Sequence, residues 1–353
     1  MPNQRMKISL ALLNPFFTRP ATLHMTRSSP LAAVLLLVTA VLSGCTAPPP
    51  PADAVAAQTR VVVDAEGTEV VVPLEPRRVV TLSEPTLDGV LALGVTPIGT
   101  VTGRGQATVP NYLAELAGDI PLLGGVAQPN FEAIGAAAPD LILIDGTSVN
   151  NNPPVIEALR RIAPVVYTGY AGGDWRDNFA LVAEALGMAE EGERVAADYD
   201  AEVAKAREHL RGYAQDTFSI VRWQGGSASL ILKELPPGRA LTDLGLARPP
   251  HQDRNGRGHS EPVSLENLRE IDADWVFFGT LGGSSVSNPQ AGGGTDASDA
   301  ERALRDAAAV PGFTELSAYR RDRIIPVDGS AWTSTGGPLL MTRIVHDVVE
   351  ALG

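Results

Sequence analysis

From Arg60 onward, short apolar runs alternate with stretches of helical spacing. Val79–Leu82, Pro97–Val101, Leu141–Ile144 and Val165–Tyr167 predict four strands, with helix candidates at 85–93, 111–117, 130–138 and 153–162. That alternation is the mark of βαβ units and a mainly parallel sheet. A second set follows, with strands predicted at Ser219–Trp223, Leu230–Leu232, Trp275–Phe278 and Ile324–Val327, and helices at 264–271, 301–308 and 337–351. Between the sets lies a helical stretch. Asp174 is placed to cap 175–186, where Phe179, Val182 and Leu186 share a face. After Gly187, residues 190–211 put Val195, Tyr199, Val203, Ala206 and Leu210 on one stripe, and Gly212 ends it. A helix of about 22 residues spans roughly 33 Å, enough for a rod that bridges two lobes.

The chain repeats itself. Residues 129–144 read PNFEAIGAAAPDLILI and residues 263–278 read VSLENLREIDADWVFF. With Glu132 aligned to Glu266, Ile134 meets Leu268, and Asp140 meets Asp274. Each Asp precedes a four-residue apolar run. Asn130 and Ser264 stand two residues before the Glu, where helix N-caps belong. The matched spacing favours two lobes built as copies of one plan over a chance agreement of the helix–Asp–strand pattern that is common in α/β proteins.

The first 45 residues read as an address. Arg27 precedes the apolar run 31–42 (LAAVLLLVTAVL), and Leu-Ser-Gly-Cys closes it at Cys45. A basic flank, a short apolar core and small residues before the cut make a secretory signal. The run is shorter than the roughly 20 residues of a membrane span. The ending resembles a bacterial lipobox, which implies cleavage before Cys45 and lipid attachment to it. Met25 makes a better start than Met1, so residues 1–24 are set apart from the fold. Residues 46–59, rich in Pro and Ala, read as a flexible tether. Cys45 is the only cysteine, so no disulfide holds the mature fold.

The sequence has 28 basic and 41 acidic residues, and four of the basic ones precede Cys45 with no acid beside them. The mature chain therefore carries 24 against 41, a net charge of −17. That balance excludes nucleic acid as a partner class. There is no G-x-S-x-G elbow, H-E-x-x-H pair or P-loop lysine, and no cysteine for thiol chemistry in the domain. Nothing marks the chain as an enzyme or calls for a cofactor.

Four stretches together carry a family resemblance: RVVTLSEPTLDGVLALGVTPIGT (78–100), QPNFEAIGAAAPDLILI (128–144), VSLENLREIDADWVFF (263–278) and RRDRIIPVDGSAW (320–332). In order and spacing, over about 60–353, they resemble the iron-siderophore substrate-binding proteins of ABC transporters, relatives of the ferrichrome and vitamin B12 binders. The resemblance implies an α/β fold of two Rossmann-like lobes joined by a single long helix, with the ligand cleft between them. The lobes fall at 60–171 and 214–353, with the linker at 172–213. It implies a monomer, anchored outside the cytoplasm to the cell membrane by the lipid on Cys45. That protein would capture a ferric siderophore and deliver it to the permease. Cobalamin and heme are the alternative ligands.

The resemblance also places the acidic pair. Glutamates at the positions of Glu132 and Glu266 dock on arginines of the two permease subunits, one per lobe; the alternative is that each complements its own helix dipole. Ligand residues are expected at the carboxyl ends of the strands, in loops near 102–106, 125–130, 145–148, 169–175, 222–229, 252–260, 279–284 and 330–336. Among these, Arg104 and Arg222 are the candidates for neutralising chelate oxygens, since guanidinium offers a fixed fork of donors. Arg104 also matches a ligand-binding arginine of the ferrichrome-type relatives. Tyr170, Trp223 and Trp332 are the candidates for packing on the chelate. Trp175 either joins them or anchors the linker. Alternation along the strand sends Arg222 and Trp223 to opposite faces, so one of the two reaches the ligand. His251 and His259 flank a polar loop with Asp253, but too few histidines remain in the domain for a bare-metal site. Tyr170 or His259 would supply an axial ligand if the cargo were heme. The stretch 282–299 (GGSSVSNPQAGGGTDASD) reads as a flexible surface loop or a lid.

Overall fold

A computed structural model describes residues 58–148, 152–283 and 294–353. The signal segment, Cys45, nearly all of the tether and most of the 282–299 loop lie outside the described residues.

The first lobe opens with an antiparallel hairpin, β1 (Thr59–Val63) and β2 (Glu69–Pro73), in which Val61 faces Val71. Six strands follow: β3 (Val79–Thr81), β4 (Thr100–Thr102), β5 (Leu122–Gly125), β6 (Gln128–Pro129), β7 (Leu141–Ile144) and β8 (Val165–Tyr167). β3, β7 and β8 form a parallel sheet with β7 central. A parallel bridge from Val80 to Gly99 continues it toward β4, β5 and β6. All four residues of β7 are buried, as an apolar run covered on both faces requires.

The second lobe is one mixed sheet of β9 (Phe218–Gln224), β10 (Ser227–Leu230), β11 (Glu261–Val263), β12 (Trp275–Gly279) and β13 (Ile324–Pro326), in the order β11-β10-β9-β12-β13. β9, β12 and β13 are parallel, and β10 and β11 add an antiparallel edge. Gly225 and Gly226 turn β9 into β10, and both have positive φ, as the tightest hairpin turns demand.

The repeat seen in the sequence has a structural counterpart. Asp140 accepts hydrogen bonds from the backbone of Arg77 and Arg78, just before β3. Asp274 accepts from the backbone and hydroxyl of Thr217, just before β9. Each Asp thus ties its own strand, β7 or β12, to the parallel neighbour. The helices above them differ. Phe131–Ala136 is α-helical, whereas Leu265–Ile271 is a 3-10 helix kinked at Asn267 rather than a regular helix.

Between the lobes run the helices Trp175–Leu186 and Ala189–His209. Asp174 caps the first, and Gly187, at φ 76°, ends it. Trp175 is buried edge-on against Tyr199, with ring centroids 5.1 Å apart, and so anchors the linker. Tyr199, Val203, Ala206 and Leu210 sink into a core that also holds Val79 and Leu141 of one lobe and Phe218 and Phe277 of the other. The long helix is not the only tie. Helix Pro338–Leu352 returns from the second lobe to pack on it and on helix Glu84–Ala92. There Asp88 accepts from the Leu339 and Leu340 amides, both at 2.9 Å, and from the Tyr112 hydroxyl. A carboxylate of one lobe therefore caps a helix of the other, satisfying amides that a helix start leaves open.

Candidate ligand site

A cleft of about 350 Å³ opens where the carboxyl ends of the two sheets meet. Arg104 reaches it from the loop after β4, Gly146 and Thr147 from the loop after β7, and Tyr170 from the loop after β8. The second lobe contributes Arg222 of β9, the 257–260 segment and Thr333–Thr335. The location is the one that open α/β sheets favour, outside the strand ends.

Three guanidinium groups face this space, and among the described residues no Asp or Glu lines it. Among the described residues, Arg104, Arg222 and Arg257 make no ion pair, whereas fourteen other basic side chains do. Arg222 is half-buried and donates to the Ser260 hydroxyl. Burial, and then the charge of Arg104, hold its pKa below the ordinary arginine value. Two like charges held together, one of them partly dehydrated, form a site that an anion relieves. Against the chain's net charge of −13, the concentration of positive charge here is the more specific.

Buried carboxylates outside the lining hold the loops in place. Glu84, 2% exposed, accepts from the Arg104 amide at 2.6 Å and from the Ser334 hydroxyl at 2.9 Å. It links the rims of the two lobes. Glu234 does comparable work on the 254–260 loop, accepting from the Gly256 and Gly258 amides.

The two tryptophans named from the sequence are not in the cleft. Trp223 is 3% exposed, stacked with Phe278 at 5.9 Å and edge-on to Phe313 at 5.4 Å. Strand alternation sends Arg222 to the cleft and its neighbour into the lobe core. Trp332 is fully buried, stacked 4.2 Å from Phe277, and its indole N–H donates to Asp347 at 2.8 Å. It belongs to a short helix, Gly329–Trp332, which Asp328 caps and which turns the ring inward. Tyr170 does line the cleft, is 47% exposed, and packs against Tyr167 at 5.4 Å.

Glu132 and Glu266 lie away from the cleft. Both are exposed in the first turn of their helices, and neither is in an ion pair among the described residues. His259 lines the cleft, and its Nδ1 lies 2.9 Å from the Ser260 carbonyl oxygen. His251 is outside it, with Nε2 2.8 Å from the Glu270 carbonyl oxygen. Among the described residues, no group of three His, Cys, Asp or Glu side chains comes together to hold a metal. Leu235, Tyr167 and Arg257 line the cleft without having been singled out from the sequence. Arg257 sits in the 252–260 loop, where only the region was legible.

Beneath Gly146 and Thr147, Asp145 is 1% exposed. Its Oδ1 accepts from the Thr147 amide and hydroxyl, and Oδ2 finds no partner. Burial pushes its carboxyl from 3.8 up to about 6, against the Thr147 hydrogen bonds. Asp88 moves the same way, also through burial. A folded value above the unfolded one means that the native protein binds the extra proton. Stability from such a group is full below the unfolded value and is lost as pH rises through about 6. The gap is worth on the order of 3 kcal/mol at most. Asp145→Asn keeps the Oδ1 acceptor and cannot ionise. We expect it to raise stability near pH 7.5 by about 1–3 kcal/mol and to reduce the fall in stability between about pH 4 and 7, as read by urea unfolding. An unchanged profile would mean that this carboxylate stays ionised in the fold.

Residues 79–331 match the family model described as periplasmic binding protein. The chain belongs to the periplasmic binding protein family. This is a family of substrate-binding proteins. One family relative, the probable siderophore-binding lipoprotein YfiY of Bacillus subtilis, is 28% identical over 89% of this chain and 95% of its own length. Among solved structures, SirA of Staphylococcus aureus complexed with staphyloferrin B superposes with a TM-score of 0.68 at 24% identity, covering 83% of this chain and 98% of SirA. The iron uptake ABC transporter substrate-binding protein PiuA of Streptococcus pneumoniae gives a TM-score of 0.64 at 22% identity, over 84% and 100%. These two likenesses show the fold.

Proposed function

We propose that this chain is the extracytoplasmic, lipid-anchored receptor of an ABC importer, and that it captures a ferric siderophore and hands it to the permease. The observation that carries the ligand class is the trio Arg104, Arg222 and Arg257 around a cleft with no acid in its lining. A ferric chelate brings anionic hydroxamate, catecholate or carboxylate oxygens, and guanidinium groups match them in charge and geometry. Tyr170 offers a half-exposed ring beside them. The siderophore-binding relative and the iron-uptake structure point the same way. Iron stays in its chelator and is cargo. Glu132 and Glu266 serve as the permease-docking knobs, and Cys45 carries the lipid. The receptor acts as a monomer over 60–171 and 214–353, with 172–213 as linker.

Tyr170 and His259, both at the cleft, give heme a route to axial ligation, so heme is the second reading. Titration calorimetry of the leaderless protein decides between them, against ferric citrate, ferric hydroxamates, ferric catecholates, hemin and cobalamin. Ferric chelates are expected to bind at micromolar Kd or tighter, with affinity falling as salt rises. Binding of hemin with a Soret band, and of no ferric chelate, would transfer the function to heme.

A further inference from the structure

Resting on the ferric-chelate function above, we propose that Glu234 is a positioning residue of the ligand site: its buried carboxylate shapes the loop that presents Arg257 to the chelate.

Glu234 follows β10 and is 4% exposed. One carboxylate oxygen accepts from the Gly256 amide at 2.6 Å and the other from the Gly258 amide at 3.1 Å. No ion pair with it forms among the described residues, although the buried guanidinium of Arg248 lies close enough to act on its charge. The nearby Lys233 and Arg254 are committed elsewhere, to Asp253 and Glu261. The side-chain hydrogen bonds of Glu234 are to these two amides, and losing either would leave a buried carboxylate oxygen unsatisfied. The residue between those amides is Arg257, whose side chain is exposed into the cleft and makes no ion pair. The grip of Glu234 therefore brackets the arginine and fixes where its Cα stands.

The same grip seats the loop against the first lobe. Gly258 has φ of 80°, and a Cβ on it would lie 2.3 Å from the Ala171 carbonyl oxygen. Gly172, also at φ 80°, would place a Cβ 2.7 Å from the Gly258 Cα. Backbone meets backbone there, with no room for a side chain. Arg239 fastens the junction, donating to the Glu234 and Gly172 carbonyls. The loop ends in Ser260, the acceptor for Arg222. One carboxylate thus sets where Arg257 stands without touching the cleft.

The test uses the leaderless full domain, with ferric citrate as the probe. Glu234→Gln replaces one acceptor by a donor that faces an amide. We expect ferric citrate affinity to fall by about tenfold or more, and the salt dependence of binding to fall to that of Arg257→Gln. The double variant should bind like Arg257→Gln alone, because the two substitutions remove one interaction. Protection of the Gly256 and Gly258 amides from hydrogen exchange should be lost with Glu234→Gln, while the core strands keep theirs. Wild-type affinity in Glu234→Gln, or effects that multiply in the double variant, would overturn the proposal. Should Glu234→Gln not fold, exchange in the wild-type protein decides: Gly256 and Gly258 amides exchanging at free-chain rates would overturn it, and slow exchange would sustain it. A wild-type protein that ignores ferric citrate and every other ferric chelate sinks the parent function instead, and the amide-exchange comparison still judges Glu234.

Discussion

Arg222→Ala is expected to lower the affinity for a ferric chelate by about two orders of magnitude, with little loss of fold stability. The residue is half-buried at the carboxyl end of β9, close enough to Arg104 for the second charge to depress its pKa further. In the empty cleft this arrangement is unfavourable: burial and repulsion both act against the charged form. An anionic ligand reverses the repulsive contribution, so the repulsion stored in the apo protein becomes selectivity for negative charge. Truncating one partner of a buried, hydrogen-bonded charge pair costs roughly 2–5 kcal/mol, or about 30- to 4,000-fold in Kd at about 1.4 kcal/mol per decade. The fold has less to lose, since the side chain's one internal hydrogen bond is to Ser260. Trp223→Ala is the control from the opposite face of the same strand. It opens a cavity between Phe278 and Phe313 and should cost about 3–5 kcal/mol of stability, without a comparable change in affinity per folded molecule. Calorimetry on both variants separates the two roles. Undiminished chelate binding by Arg222→Ala would remove the basic wall from the mechanism.

That contrast also shows what the chain could disclose before folding. The period-2 rule stated that Arg222 and Trp223 part company, but it does not say which face is the cleft. The choice is made by Phe278 and Phe313, which close the core on the Trp223 side. Trp332 misled for a related reason. Its place just past β13 suggested a loop, whereas Asp328 caps a single helical turn that carries the ring onto Phe277. Large apolar rings follow the nearest core, and three-dimensional neighbours define that core. The apolar strands β7 and β12 were plain, because a run buried on both faces has no other use. Arg257 was hidden for the opposite reason. In HQDRNGRGH, polar residues surround it, and nothing local separates one arginine from the next. What distinguishes it is Glu234, twenty-three residues upstream, whose two amide contacts straddle it. Long-range tethers of this kind leave no periodic trace.

Charge reversal at both Glu132 and Glu266, to arginine, should leave ferric chelate affinity unchanged and slow iron uptake by about tenfold or more. Within the fold each glutamate has a small task. It sits in the first turn of a short helix whose N-cap is already supplied by Asn130 or Ser264, and the dipole term is worth about 0.3–1 kcal/mol. Reversal therefore costs the domain little. Across an interface the balance differs, because like charges brought into contact cost several kcal/mol. The two sites stand on equivalent scaffolds: Asp140 and Asp274 each lock the following strand to its neighbour, and the glutamate is carried eight residues ahead of that lock. On the proposed docking, one acidic knob per lobe would meet each of two like transporter subunits. Either single reversal should then give a partial defect, and the double reversal a larger one. Uptake measured in cells lacking the wild-type receptor, alongside calorimetry on the purified variants, tests both halves of the expectation. If doubly reversed protein restores uptake as well as wild type does, docking depends on some other surface, and the duplicated glutamates are left with only their helices to serve.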